Sequence, residues 1–224
     1  MLNDMLEALK HMLWPTRCAS CEILLEEPDK LLCKECEHSI ADAPVIKPPQ
    51  FIDDVCALFI YDGAVKSMIA KWKYHEDYTA QHAILSFLPS QIQRLKQFVP
   101  QNSCIIPVPP HPRRLQERGF DPVWTFGSKL THLLTESDFP VDFRDDILIR
   151  TRHTPHQAAL THDERLHNLQ GAFKVIPNFK ADNIILLDDV ITTGATGSIC
   201  AQTLRKQADA KWIGMIALAH PVKS

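Results

Sequence analysis

IILLDDVITTGATG, residues 184–197, decides the fold. Four apolar residues, 184–187, run directly into two carboxylates, Asp188 and Asp189. A short continuous apolar run bounded by turn residues fits a strand buried on both faces, the kind found in parallel α/β sheets. Ligands of such sheets bind at the C-terminal strand ends, and that is where the acids fall. Thr192, Thr193, Gly194, Ala195, Thr196 and Gly197 then make a loop of hydroxyls and exposed amides, and residues 198–207 read as a following helix. Free amides at a helix N-terminus, reinforced by the helix dipole, cradle a phosphate. Carboxylates cannot bind that phosphate directly. They accept hydrogen bonds from sugar hydroxyls, or hold a hard cation such as Mg²⁺. A phosphorylated sugar with free vicinal hydroxyls satisfies both halves. The alternative that the pattern leaves open is an ordinary strand-turn-helix with solvated acids.

The chain around this stretch has 224 residues, 45% of them apolar, enough for one sizeable α/β domain and a small appendage. A net charge of −3 with no long charge run speaks against extensive nucleic-acid contact, though it leaves room for a local basic patch. Residues 1–13 carry an acid and no uninterrupted apolar core, unlike a signal peptide. No apolar stretch approaches bilayer-spanning length, so no membrane insertion and a cytoplasmic location are expected. Leu2, Met5, Leu6, Leu9 and Leu13 recur at helical spacing and predict an amphipathic helix packed on its own domain.

Four of the seven cysteines form two C-x-x-C pairs, Cys18 with Cys21 and Cys33 with Cys36. This pattern fits a tetrahedral Cys₄ zinc site. So short a segment cannot build an apolar core of its own, so Zn²⁺ supplies folding energy. Four thiolates leave no open position, which makes the role structural. A disulfide conflicts with a reducing cytoplasm. Cys56, Cys104 and Cys200 sit in apolar surroundings and read as core residues.

Pro44, Pro48 and Pro49 mark a linker, placing the domains at 1–43 and 50–224. A strand over 55–61, a lysine-bearing helix and a helix over 84–98 follow. A second buried strand, 103–108, leads into PVPPHPRRLQERGF, whose prolines stiffen a turn. Arg113, Arg114 and Arg118 gather there, suited to bidentate phosphate recognition or, equally on this segment alone, to a solvated basic loop. Asp121-Pro122 reads as the cap and first residue of a helix through Leu134. A short strand is expected at 147–149, a polar excursion with a capping box at Thr161 and Glu164 after it, and a last strand at 212–219. This alternation predicts an α/β fold with a mostly parallel sheet.

The stretch at 184–197 resembles the signature of the type I phosphoribosyltransferases, the loop that holds 5-phosphoribosyl 1-diphosphate (PRPP). The double C-x-x-C, YDGAVKSMIAKWKYHED, PVPPHPRRLQERGF and the spaced R-x-R-x-T-x-x-Q-x-x-L-x-x-x-x-R-x-x-N-x-x-G-x-F at 150–173 together resemble the ComF family, over roughly residues 18–219. That family includes a competence protein of DNA uptake and a protein assigned to DNA utilisation. The resemblance implies a type I phosphoribosyltransferase-like domain at 50–224. Asp188 and Asp189 would hold ribose hydroxyls and Mg²⁺, and Thr192, Thr193, Gly194, Ala195 and Thr196 the 5-phosphate. Arg113, Arg114 and Arg118 would lie at the pyrophosphate. Transferases for 6-oxopurines carry a carboxylate where this chain has Thr192, which argues against that substrate class. The family's Arg-Gly-Phe-Asn-Gln is here Arg118-Gly119-Phe120-Asp121-Pro122.

Three functions follow as expectations. The first is a PRPP-binding phosphoribosyltransferase whose acceptor the sequence does not reveal. The second is an adaptor that contacts single-stranded DNA or a helicase-like partner, with Trp72, Tyr74 and Tyr78 beside Lys71 and Lys73 as base-stacking candidates, the favoured alternative being that these aromatics form a half-buried helix face. The third, least favoured given the intact acid pair and loop, is a transferase fold kept as a scaffold.

Overall fold

A computed structural model of the chain describes residues 15–151 and 169–222. The expected helix at the N-terminus and the capping box at Thr161 and Glu164 lie outside the described residues, as do Arg152, Gln157, Arg165 and Asn168. The chain packs as two interleaved compact units. One draws on the chain up to Ala41 and on Tyr61–Phe87, the other on Asp42–Ile60 and the chain from Leu88 onward.

In the first unit, the first cysteine pair sits on a tight turn closed by Cys18 N–H to the Ile23 carbonyl at 2.9 Å and Glu22 N–H to the Cys18 carbonyl at 2.9 Å. Cys33 caps helix α1, Lys34–His38. Helices α2 (Gly63–His75) and α3 (Tyr78–Leu85) complete the unit. Ser67 Oγ and Lys71 Nζ both donate to the Ser20 carbonyl at 2.9 Å, and Lys71 pairs with Glu22 at 2.7 Å. These bonds explain why helices from later in the chain group with the cysteine segment. The helix expected over 84–98 is two helices. α3 ends at Leu85 and α4 starts anew at Leu88, running to Phe98 in the second unit.

The second unit is built on β1 (Asp54–Ile60), β2 (Cys104–Pro107), β3 (Asp142–Phe143), β6 (Asn183–Val190) and β7 (Trp212–His220). They form a five-stranded sheet in the order β1-β7-β6-β2-β3, parallel at every pairing. Parallel strands need crossovers, supplied here by helices α5 (Pro112–Arg118), α6 (Pro122–Glu136) and α7 (Ala195–Ala208) among others. β4 (Leu148–Arg150) and β5 (Phe173–Val175) pair antiparallel as a separate ribbon. The sequence reading missed β3 and β5. Each is two or three residues long, below the length at which alternation is legible.

Burial follows the predicted pattern. Ile184, Ile185, Leu186 and Leu187 are each 0% exposed, so β6 is covered on both faces. α6 covers one face: a Cβ on Gly127 would fall 2.8 Å from Leu187 Cδ2. α7 covers the other, where a Cβ on Gly197 would fall 2.6 Å from Met215 Sδ. The register confirms the opposition, because Leu187 pairs with Ile216 and Met215 is the next residue along β7.

Strand order creates a switch point. From β2 the chain proceeds to β3 on one side, and from β6 it proceeds to β7 on the other. The C-terminal ends of β2 and β6 therefore flank the crevice where open α/β sheets bind ligands.

Candidate functional site

The two segments singled out in the sequence start side by side at this crevice. Pro107 pairs with Leu187, and the Val108 amide donates to the Leu187 carbonyl at 2.8 Å. One residue beyond that bond, the β6 side supplies Asp188 and Asp189. The β2 side supplies Pro109, Pro110 and then α5.

Asp188 and Asp189 are the seventh-from-last and sixth-from-last points before the loop reaches its helix, and both are half-buried. Their side chains leave opposite faces of the sheet, since consecutive strand residues alternate. Asp188 Oδ1 accepts from the Asp189 amide at 2.9 Å. On the α7 face, Asp188 acts electrostatically on the buried Cys200 thiol, which burial pushes well up. On the α6 face, Asp189 acts on Asp121.

The loop then turns through Thr192 and Thr193, both exposed, into α7. Gly194 caps that helix with φ 72° and no side-chain cap bond. Its conformation suits glycine, and a Cβ there would fall 2.4 Å from Pro49 Cγ. Pro49, read from sequence as part of a linker, thus lies against the loop. Thr193 Oγ1 accepts from the Ala195 amide at 3.4 Å, and Thr196 is half-buried in the first turn of α7. The loop accordingly offers hydroxyls and first-turn amides at the positive end of a 14-residue helix.

Arg113, Arg114 and Arg118 occupy α5, a short helix rather than the expected turn, because Pro112 starts it and His111 caps it by accepting from the Arg113 amide at 3.2 Å. Arg113 is exposed, whereas Arg114 and Arg118 are half-buried. Arg118 lies near enough to Asp121 to counter part of the upward shift of its carboxyl. Arg114 faces another cation. Burial depresses the Arg150 guanidinium, Cys200 opposes that, and the Arg114 charge adds to it. Arg150, at the end of β4, also lies over the Phe173 ring at 5.4 Å.

Asp121 is the residue that sequence reasoning undervalued. It was legible as a helix cap, and it does accept from the Val123 amide at 2.9 Å. Its approach to Asp189 comes only from α6 folding back onto β6. Burial pushes its carboxyl up, the Val123 and Trp124 amides offset part of that, and the Asp189 charge adds to it.

The donor set suits Mg²⁺ only in company. Among the described residues, no group of three or more acids or histidines converges at this crevice. Two carboxylates completed by ligand oxygens is the usual way Mg²⁺ is held.

The cysteine site lies in the other unit. The four sulfurs of Cys18, Cys21, Cys33 and Cys36 all fall within 4.8 Å of one another. Cys21 and Cys33 Sγ are 3.7 Å apart, close to the edge of about 3.8 Å of a tetrahedron with Zn–S bonds near 2.3 Å. Burial opposes the Cys18 thiolate, but the amides of Cys21, Cys33 and Ser20 outweigh it and lower that thiol, while Cys33 and Cys36 are raised in the same cluster. The convergence of the four sulfurs is what fits zinc.

Comparison with known proteins bears on the whole chain. No family model matches it. Competence protein F of Haemophilus influenzae is 24% identical over 213 residues, covering 85% of this chain and 91% of that protein. ComFC of Bacillus subtilis is 25% identical over 224 residues, covering 88% and 87%. The chain is a homologue of the ComF and ComFC competence proteins. Solved structures of hypoxanthine phosphoribosyltransferases resemble it more distantly. That of Staphylococcus aureus is 10% identical with a TM-score of 0.39, over 61% of this chain and 62% of that one. That of Trypanosoma cruzi is 10% identical with a TM-score of 0.39, over 64% and 70%. In this ComF homologue, no described helix is long and apolar enough to cross a membrane.

Two outcomes test this geometry. The purified chain is expected to carry one zinc per molecule by elemental analysis. Stripping it should lower the thermal midpoint and expose four further thiols to a disulfide reagent; a metal-free protein with unchanged stability would contradict the site. Asp121→Asn retains the cap and removes a carboxyl whose folded pKa is raised. Such a group costs stability above its unfolded pKa, near 3.8, and the cost is complete above its folded pKa. The variant should therefore melt higher than the parent at pH 7, with the gain vanishing near pH 3. An equal or lower midpoint at pH 7 would contradict it.

Proposed function

We propose that this chain binds PRPP together with Mg²⁺ and transfers its phosphoribosyl group to an acceptor. The observation that carries the reading is the adjacency of two unlike loops at one switch point: a carboxylate pair with a hydroxyl- and amide-rich helix start on β6, and an arginine-bearing helix on β2. PRPP has two anionic ends joined by a diol, and the arrangement offers a separate partner for each part.

The 5-phosphate takes the amides and hydroxyls of Thr192 to Thr196, where the α7 dipole favours an anion. The ribose hydroxyls donate to Asp188 and Asp189. The diphosphate meets Arg114 and Arg118, whose charge stabilises it as it departs. Asp188 and Asp189 would hold Mg²⁺ with the help of ligand oxygens, and the ion would supply further charge neutralisation. Catalysis then rests mainly on positioning and electrostatics. The competence role of the relatives suggests that the reaction, or sensing of PRPP, serves DNA uptake or utilisation in the cytoplasm.

A second reading, an adaptor for single-stranded DNA, has one supporting observation. Tyr74 and Tyr78 are 64% and 68% exposed in the unit that holds the cysteine cluster, whereas Trp72 is core. Stacking on such rings is sequence-tolerant. A helicase-like partner could use the same exposed face.

Calorimetric titration of PRPP into the zinc-loaded protein tests the first reading. Binding should require Mg²⁺ and weaken at least about tenfold when Asp188→Asn and Asp189→Asn are combined. No heat of binding with or without Mg²⁺ would overturn it in favour of the adaptor.

A further inference from the structure

The loop at 188–197 has no side chain free to take a proton. Its two acids are engaged with the ribose and cation in the reading above, and Val190, Ile191, Thr192 and Thr193 are not bases near neutral pH. An acceptor bearing N–H or O–H must nevertheless lose a proton when it bonds to the sugar. Histidine is the side chain suited to that exchange, and two histidines stand at this edge of the sheet, His220 at the end of β7 beside β6 and His111 just beyond β2.

His220 is the last residue of β7 and pairs with Ile60 of β1. It therefore sits on an interior strand, at the C-terminal edge where parallel sheets present ligands. The register fixes its face. Leu187 pairs with Ile216 and Asp188 with Ala217, so Asp189 lies level with Leu218, and His220 is two residues further along the same side. His220 and Asp189 thus project from one face of the sheet.

His220 Nδ1 lies 2.7 Å from the Ile191 carbonyl. A carbonyl only accepts, so Nδ1 carries the proton and, in the neutral ring, Nε2 holds the lone pair. The ring is half-buried, and no hydrogen bond engages Nε2 among the described residues. Ile191 is itself anchored, its amide donating to the Ala219 carbonyl at 3.1 Å. The bond holds the imidazole in one tautomer directly beside the loop, one residue before Thr192. His111, on the opposite side of the crevice, has the reverse arrangement. Its Nδ1 accepts from the Arg113 amide at 3.2 Å, so in the neutral ring the proton is on Nε2.

We infer that His220 is the general base of the transfer, taking the acceptor's proton on Nε2. This rests on the phosphoribosyl reading. The bond from C1 to the diphosphate oxygen breaks and the electron pair leaves with the diphosphate. A bond forms from C1 to the acceptor nitrogen or oxygen, and the acceptor's proton moves to Nε2. The chemical class of acceptor is thereby one that must give up a proton: an N–H nucleophile, or water where none is bound. The imidazolium returns its proton to solvent after release.

Pyrophosphate release from Mg²⁺-PRPP, first with water alone and then with N–H heterocycles, provides the assay. His220→Asn keeps an amide donor near the Nδ1 position for the Ile191 carbonyl and removes the base. It should bind Mg²⁺-PRPP within about twofold of the parent by calorimetry and release pyrophosphate about 10²-fold more slowly. His220→Ala should be equally slow and regain rate when imidazole is added. A parental rate in His220→Asn would overturn the inference and show that the ring only braces the loop. So would a parent that binds Mg²⁺-PRPP yet releases no pyrophosphate to any acceptor, a result that leaves PRPP binding intact. A parent that binds no PRPP sinks both readings together.

Discussion

The pairing of β2 with β6 is the constraint on which the site depends. Neither strand is long, and their contact is an ordinary parallel ladder from Cys104 and Ile184 to Pro107 and Leu187. Its consequence is positional. Because the chain leaves the two strands in opposite directions, no crossover helix covers the gap between their ends. Residues 70 to 76 positions apart in sequence, the arginines of α5 and the acids of β6, are brought to one edge by four residue pairs. The buried β6 run supplies the driving force, since its four side chains leave water completely on folding.

At that edge burial is the main cause of the depressed Arg150 guanidinium and of the raised Asp121 carboxyl, with the Arg114 charge adding to the first and the Asp189 charge to the second. The two candidate metal sites differ. The cysteine cluster converges four sulfurs from its own chain, enough for a metal such as zinc, while the acids at β6 converge too few to hold a cation without a ligand's oxygens.

Much of this was legible in the sequence for identifiable reasons. A continuous apolar run followed by acids and a glycine-bearing turn has few structural solutions, and the chain adopts the expected strand, loop and helix, with the strand running on to Val190 and the helix starting at Ala195 rather than Ser198. The two C-x-x-C pairs read directly because metal spacing is local. What stayed hidden depends on distant packing. Asp121 looked like a helix cap, and only the return of α6 onto β6 brings it to Asp189. Pro49 looked like linker, and only the close approach permitted by Gly194 places it on the loop. Arg150 was one polar residue among many until β4 set it over Phe173 and near Arg114. His220 followed an unremarkable apolar strand, and its tautomer is fixed by a carbonyl 29 residues earlier. The single helix expected over 84–98 is interrupted at Ser86 and Phe87, and Pro89, inside that span, was the overlooked sign of a new helix, since its ring is tolerated in a first turn.

The central claim is that one ligand spans the two loops. A crystal structure of the zinc-loaded protein with Mg²⁺ and PRPP tests it most directly. The account predicts the 5-phosphate on the amides between Thr192 and Thr196, the ribose diol on Asp188 and Asp189, and the diphosphate within reach of Arg114. A ligand held by one loop alone, with its diphosphate directed away from α5, would contradict it.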